Sequence, residues 1–224
     1  MSTLSNPETI PTYAETALKN VPGLRDLHKM ASVLLAERAR VDARILVLGA
    51  GGGLELKALA ELQPSWRFDG VDPSREMLQL ARTTLGSLAS RVRLWQGFID
   101  SAPLEPFDGA TCLLTLHFLP RAERLRTLKE LNLRLKPGAA LVVAQHSFPS
   151  EDPDPDKWLN RNAAYGMASG VPPAQAESSI KAIRERLPVL SPQHDVDLLS
   201  EAGFVNIELF YCAFTFKGWV GYKE

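Results

Sequence analysis

Ile45-Leu46-Val47-Leu48-Gly49-Ala50-Gly51-Gly52-Gly53, with Asp72 nineteen residues further on, decides how this chain folds. Four apolar residues in an unbroken run are what a strand buried on both faces requires. A helix is expected after the glycines, from about Leu54 to Leu62, ending before Pro64. Glycines at a strand-to-helix junction let the main chain bend tightly and let a ligand come close to it. The helix start adds free N–H groups and the positive end of a dipole, which suit a carboxylate or phosphate. Asp72 stands at the end of a second strand, Trp66 to Val71, where its carboxylate can accept from both hydroxyls of a ribose. Together these features point to an adenosine-containing ligand. The bland alternative is a glycine-rich turn with a capping aspartate. The dinucleotide fingerprint wants its third glycine where this chain has Leu54, and the glycines here run at alternate positions 49, 51 and 53. That spacing disfavours a nicotinamide cofactor.

Outward from this stretch, strand and helix alternate, the pattern of an α/β protein with a mostly parallel sheet covered on both faces. Upstream, Leu24, Leu27, Ala31, Leu34 and Leu35 fall at helical spacing after the Val21-Pro22-Gly23 turn. Downstream, Ser74 caps a helix that buries Met77, Leu78 and Ala81. Val92–Gln96, Ala110–Leu116 and Ala140–Ala144 read as strands three to five, and Leu125, Leu128, Leu131 and Leu135 stripe the helix between the last two. The alternation breaks from Ser147 to Pro192, where two helices, Trp158–Met167 and Ala174–Leu187, form an insertion over the sheet edge. Two closing strands, Ile207–Phe214 and Phe216–Tyr222, are joined by a link too short for anything but a hairpin, so one of them must run antiparallel. Residues 1–40 are expected to be an N-terminal leader and cap helix, and 41–224 one catalytic domain with its insertion at about 147–192.

The 224 residues carry a net charge of −1 and are 45% hydrophobic and 23% charged, which suits one soluble domain and gives no global attraction for nucleic acid or anionic membrane. Arg121, Arg124, Arg126 and Lys129 are interleaved with Glu123 and Glu130, as on a solvated helix face. No run approaches the roughly 18 apolar residues of a membrane span. Met1–Thr12 lacks the order of a signal peptide, so a cytoplasmic protein is expected. Cys112 and Cys212 sit in apolar strands and read as buried free thiols; no metal site is expected.

Five ordered blocks resemble the class I S-adenosylmethionine-dependent methyltransferases: ILVLGAGGG, FDGVDPSREMLQLAR, FDGATCLLTLHFL, LRLKPGAALVVAQ and EAGFVNIELF. The resemblance runs from about Ala43 to the C-terminus. It implies a Rossmann-like, seven-stranded sheet whose last strand is antiparallel, and S-adenosyl-L-methionine as cofactor. It also implies that main chain at Gly49, Ala50, Gly51 and Gly53 borders the methionine part. Asp72 and Pro73 would hold the ribose and Met77 would pack near the adenine. Gly97-Phe98-Ile99 would wrap the adenine edge, and the Leu113 carbonyl would receive the methionine amine. Two positions depart from the family. Val47 stands where an acid two residues before the first glycine is usual, with nothing obvious in its place. Phe98 stands where an aspartate often meets the adenine, with Asp100 as a substitute. VPG, TLHFL and ELFYCAFTFKGW are similar to the carboxy-S-adenosylmethionine synthases of tRNA wobble-uridine modification, which hold a carboxylate with an arginine of the insertion; Lys181, Arg184 and Arg186 lie in that region here.

Methyl transfer from a sulfonium is an in-line displacement, so the protein must align an acceptor and, for some acceptors, remove a proton. His117 and His146 follow strand ends and are candidate bases, with crevice-wall packing as the alternative role. Tyr13, Trp158 and Tyr165, with Met167, either line a lid over a small-molecule acceptor or pack the insertion against the sheet. Nucleic acid is not expected as a direct substrate, and a homodimer is left open.

Overall fold

The computed structural model describes residues 13–149, 154 and 156–224. The expected leader Met1–Thr12 and most of the acidic stretch before the insertion's first helix lie outside the described residues. Helices α1 (Tyr13–Asn20) and α2 (Leu24–Ala36) lead into β1 (Arg44–Leu48), α3 (Leu54–Leu62), β2 (Arg67–Asp72), α4 (Arg75–Leu85) and β3 (Val92–Gln96). Then come β4 (Phe107–Leu113), α5 (Arg121–Leu133), β5 (Leu135–His146), α6 (Lys157–Ala168), α7 (Pro173–Arg186), α8 (Pro192–Glu201), β6 (Phe204–Ala213) and β7 (Phe216–Lys223).

The seven strands form one sheet in the order β3-β2-β1-β4-β5-β7-β6. β1 to β5 are parallel where they pair, and β7 slots between β5 and β6, antiparallel to both. The hairpin expected from the short link is therefore present, and only β7 runs against the rest. The order reverses beside β1, so the carboxyl ends of β1 and β4 open on the crevice where such sheets bind ligands. Alternate residues of β1 explain its unbroken apolar run. Ile45 and Val47 pack into a core under α2 and α3, while Leu46 and Leu48 pack into a second core under α5 and α8. β6 forms one edge of the sheet. Two bulges and a left-handed Asn206 (φ 49°) break its ladder, a device that discourages pairing with another chain.

Two readings need correction. Arg124 of α5 is not on a solvated face. Its side chain is wholly buried and donates to Asp195 of α8 at 2.6 Å, because α8 packs over that side of α5. Cys212 is exposed rather than buried, since β6 is an edge strand; Cys112 is buried and both thiols are free.

Gly53 shows why the bend demands glycine. Its φ is +83°, and a Cβ built there would sit 2.8 Å from the Ala81 Cα on α4. Gly53→Ala is expected to cost about 2–4 kcal/mol, combining left-handed strain with overpacking against a backbone that cannot retreat. Chemical denaturation would check this, and a loss under 1 kcal/mol would show that α4 gives way.

Candidate active site

The glycine bend and Asp72 meet. Asp72 Oδ2 accepts the Gly51 N–H at 2.9 Å and Oδ1 accepts the Ser74 N–H at 2.9 Å. This leaves lone pairs on both oxygens for further donors. Burial raises the Asp72 pKa, opposed by those two N–H groups. The bend does not offer its amides freely, however. Gly49 and Ala50 donate to the Val71 carbonyl at 2.8 and 2.9 Å, and Gly53 donates to Ala50 at 3.0 Å. Its contribution is space for a ligand, and the unpaired donors lie one step later, in the first turn of α3. Met77 is buried in α4 with its Cε 3.7 Å from where a Gly51 Cβ would be.

Tyr13, at the start of α1, lies across this bend. Its hydroxyl would be 3.2 Å from a Cβ at Gly51 and its ring edge 3.1 Å from one at Gly52. A side chain at either position would fill the space that the tyrosine and the bend share. Burial raises the Tyr13 pKa, and the Asp72 and Glu55 carboxylates raise it further.

Opposite the bend, β4 ends in Leu113, and Leu114 follows with φ 57°, a strained conformation for leucine of about 1–3 kcal/mol. The Leu113 carbonyl is already engaged, receiving the Thr115 hydroxyl at 3.0 Å. Phe98 is 61% exposed at the crevice mouth beside Gly97 and the buried Ile99. Asp100 does not turn toward the space that an aspartate at Phe98 would serve. Arg126 of α5 holds both its oxygens, at 2.9 and 3.1 Å, on the surface.

His117 and His146 come together in the wall, ring centroids 4.8 Å apart, and both are buried. The His146 N–H donates to His117 Nδ1 at 3.2 Å, so the neutral His117 ring must carry its proton on Nε2. Burial and the neighbouring His146 and Arg124 hold the His117 pKa well below normal. In this tautomer His117 is a donor. His146 stacks on Phe216 at 4.1 Å, its Nδ1 lies 2.9 Å from Thr215 Oγ1, and burial lowers its pKa to about 3.

Trp158 and Tyr165 of α6 face the β6–β7 turn. The Trp158 ring carries Arg161 at 4.8 Å and Lys217 at 5.3 Å, and the Tyr165 ring lies 6.0 Å from Phe214. The insertion thus packs on the hairpin turn and on α1, whose Asn20 approaches Gly166. Lys181, Arg184 and Arg186 are exposed on α7, and Arg184 pairs with Asp156. Glu55, one turn beyond the bend, is a buried acid that the sequence did not single out. Its place in a helix otherwise apolar on its inner side (Leu56, Leu59, Ala60) was the available signal.

Comparison with known proteins agrees with this geometry. A methyltransferase domain family matches residues 45–138. The carboxy-S-adenosyl-L-methionine synthase of Chromohalobacter salexigens is 25% identical over 97% of this chain and 82% of its own. Among solved structures, human N-acetylserotonin methyltransferase in complex with S-adenosylmethionine has a TM-score of 0.60 at 16% identity, over 98% of this chain and 59% of that one. An O-methyltransferase family protein from Burkholderia thailandensis has a TM-score of 0.64 at 15% identity, over 96% and 57%. The chain thus spans a little over half the length of those two structures. The sheet order is that of the class I methyltransferase structures, and the matched domain and the curated relatives support an S-adenosylmethionine-dependent methyltransferase with S-adenosylmethionine as its cofactor. Among the described residues no helix is long and apolar enough to cross a membrane, and no cluster suited to a metal ion is found.

Proposed function

We propose that the protein transfers the cofactor's methyl group to a small-molecule acceptor held in the crevice between Tyr13 and the insertion. The observation that carries this reading is the 2.9 Å contact between Asp72 and the Gly51 main chain, which sets one carboxylate beside one bare stretch of backbone. On this reading Gly49, Ala50, Gly51 and Gly53 border the methionine part, Asp72 and Pro73 hold the ribose, and Met77 with Gly97, Phe98 and Ile99 encloses the adenine. Leu113 contributes its carbonyl once Thr115 turns away. Tyr13 closes the site over the bend, and Trp158 and Tyr165 fix the insertion that forms the far wall. His117 and His146 shape the wall and present the His117 N–H, leaving alignment as the main source of rate.

Asp72→Ala tests the reading by calorimetry with S-adenosylhomocysteine. Affinity is expected to fall by about 1–3 kcal/mol, the cost of leaving ribose hydroxyls and two main-chain donors without an acceptor. Unchanged affinity would refute the assignment.

A second reading is favoured by the curated relatives, which are named carboxy-S-adenosyl-L-methionine synthases. It needs a cation in the crevice to hold an added carboxylate, whereas Lys181, Arg184 and Arg186 all lie exposed on α7. Mass spectrometry of the ligand that co-purifies separates the two, because the carboxylated cofactor is heavier by the mass of carbon dioxide.

A further inference from the structure

β1 lacks an acid at Val47, yet a carboxylate from another element reaches Thr111, the residue beside it on β4. Val47 is paired in register with Thr111 of β4, and both are wholly buried on the face covered by α3. Glu55 is the second residue of α3, immediately behind the glycine bend, and it turns inward onto Thr111. The residue is only 7% exposed. Neither Glu55 Oε1 nor Thr111 Oγ1 makes a hydrogen bond of good geometry. A buried acid without a counter-ion costs the fold free energy, and such a group beside a ligand crevice is a candidate functional position. Tyr13 links it to that crevice: its hydroxyl lies against Gly51 and feels the charges of both Asp72 and Glu55. The other acceptor expected for the methionine amine, the Leu113 carbonyl, is uncharged and shared with the Thr115 hydroxyl, so it cannot balance the ammonium charge.

We infer that Glu55 supplies, from helix α3, the carboxylate missing from strand β1, and that it receives the ammonium group of the cofactor's methionine part. The inference rests on the assignment of S-adenosylmethionine as cofactor. The ammonium is the counter-ion that the buried acid lacks. Pairing with it favours the ionised carboxylate, and the first turn of α3 favours that form again. Before the cofactor arrives, burial holds the Glu55 carboxyl protonated to about pH 8. Binding at neutral pH should therefore drive a proton off this side chain into solvent.

Calorimetry with two probes tests this. S-adenosylhomocysteine carries the ammonium, while 5′-methylthioadenosine keeps the nucleoside and lacks the amino-acid end. In Glu55→Gln, affinity for S-adenosylhomocysteine is expected to fall by about ten- to a hundredfold, as for loss of a charged hydrogen bond, with 5′-methylthioadenosine unaffected. In the unaltered protein at pH 7, heats measured in buffers of different ionisation enthalpy should show close to one proton released with the first probe and none with the second. Equal losses for both probes in the variant, or no loss for either, would overturn the role of Glu55. So would the absence of proton release in the unaltered protein, a measurement that needs no variant to fold. Failure of both probes to bind the unaltered protein would instead overturn the cofactor assignment itself, and the inference with it.

Discussion

Replacing Arg124 with methionine should lower the unfolding free energy by about 3–5 kcal/mol, because it leaves the Asp195 carboxylate buried without its cation. Arg124 donates to Asp195 at 2.6 Å with the two side chains 0% and 1% exposed. The same guanidinium donates to the Pro188 carbonyl at 3.0 Å, and so fastens the chain where it returns from the insertion. Gln145 at the end of β5 and Ser147 just beyond it also favour the ionised form of Asp195, though burial outweighs all of them and raises its pKa. Four segments therefore depend on one side chain: α5, α8, the end of β5 and the segment entering α8. The double variant Arg124→Met, Asp195→Leu should recover most of the loss, since apolar groups of similar volume need no partner. Urea denaturation of the single and double variants gives the comparison. A single-variant loss below 1 kcal/mol would mean that water reaches Asp195 and the pair is not truly desolvated.

That ion pair also marks where the sequence stopped being legible. The sheet was readable because each strand announces itself by local means: an unbroken apolar run at Ile45–Leu48, a glycine bend after it, an acid at the end of the next strand. That one of the two closing strands runs antiparallel followed from the short link between them, whereas the order of strands across the sheet came only with the structure. Arg124, by contrast, sits among Arg121, Glu123 and Arg126, charged neighbours that read as a solvated face, and only the packing of α8, some seventy residues later, makes it a core residue. Tyr13 was legible as an aromatic near the start, but its place over Gly51 and Gly52 depends on how α1 crosses the bend. Glu55 went unnoticed for a related reason. Sequence comparison looks for the acid at the end of β1, whereas here the carboxylate arrives at Thr111 from the helix above. A shift of a functional group between elements keeps its position in space while erasing it from the motif.

The stability of the ligand-free protein should peak near pH 6.5 and fall on both sides, and Glu55→Gln should abolish the alkaline decline. On the acid side, burial lowers the His28 pKa to about 4 and the His146 pKa to about 3 from an ordinary 6.5. As pH drops below 6.5 the unfolded chain takes up protons that these folded rings refuse, so stability is lost down to about pH 4 and beyond. On the alkaline side the decisive group is Glu55, raised by burial from 4.5 to about 8, with the Thr111 hydroxyl opposing less strongly. Below pH 4.5 both states hold its proton and it contributes nothing. Above that, the unfolded chain ionises first, so stability falls with rising pH until the folded carboxyl also ionises near pH 8. At about 1.4 kcal/mol per pH unit the full penalty is about 5 kcal/mol. Between pH 4.5 and 6.5 the histidines acting together outweigh the single acid, which is why the maximum falls near 6.5 rather than lower. Glutamine has the shape of the protonated acid and cannot ionise, so Glu55→Gln should match the unaltered protein at pH 4.5 and exceed it increasingly up to pH 8. Urea denaturation from pH 4.5 to 9 measures the difference; a constant gap across that range would show that Glu55 ionises at an ordinary pH and is not held in an apolar setting. Saturating S-adenosylhomocysteine should flatten the alkaline limb in the unaltered protein alone, because the ammonium turns the buried carboxylate from a liability into one half of an ion pair.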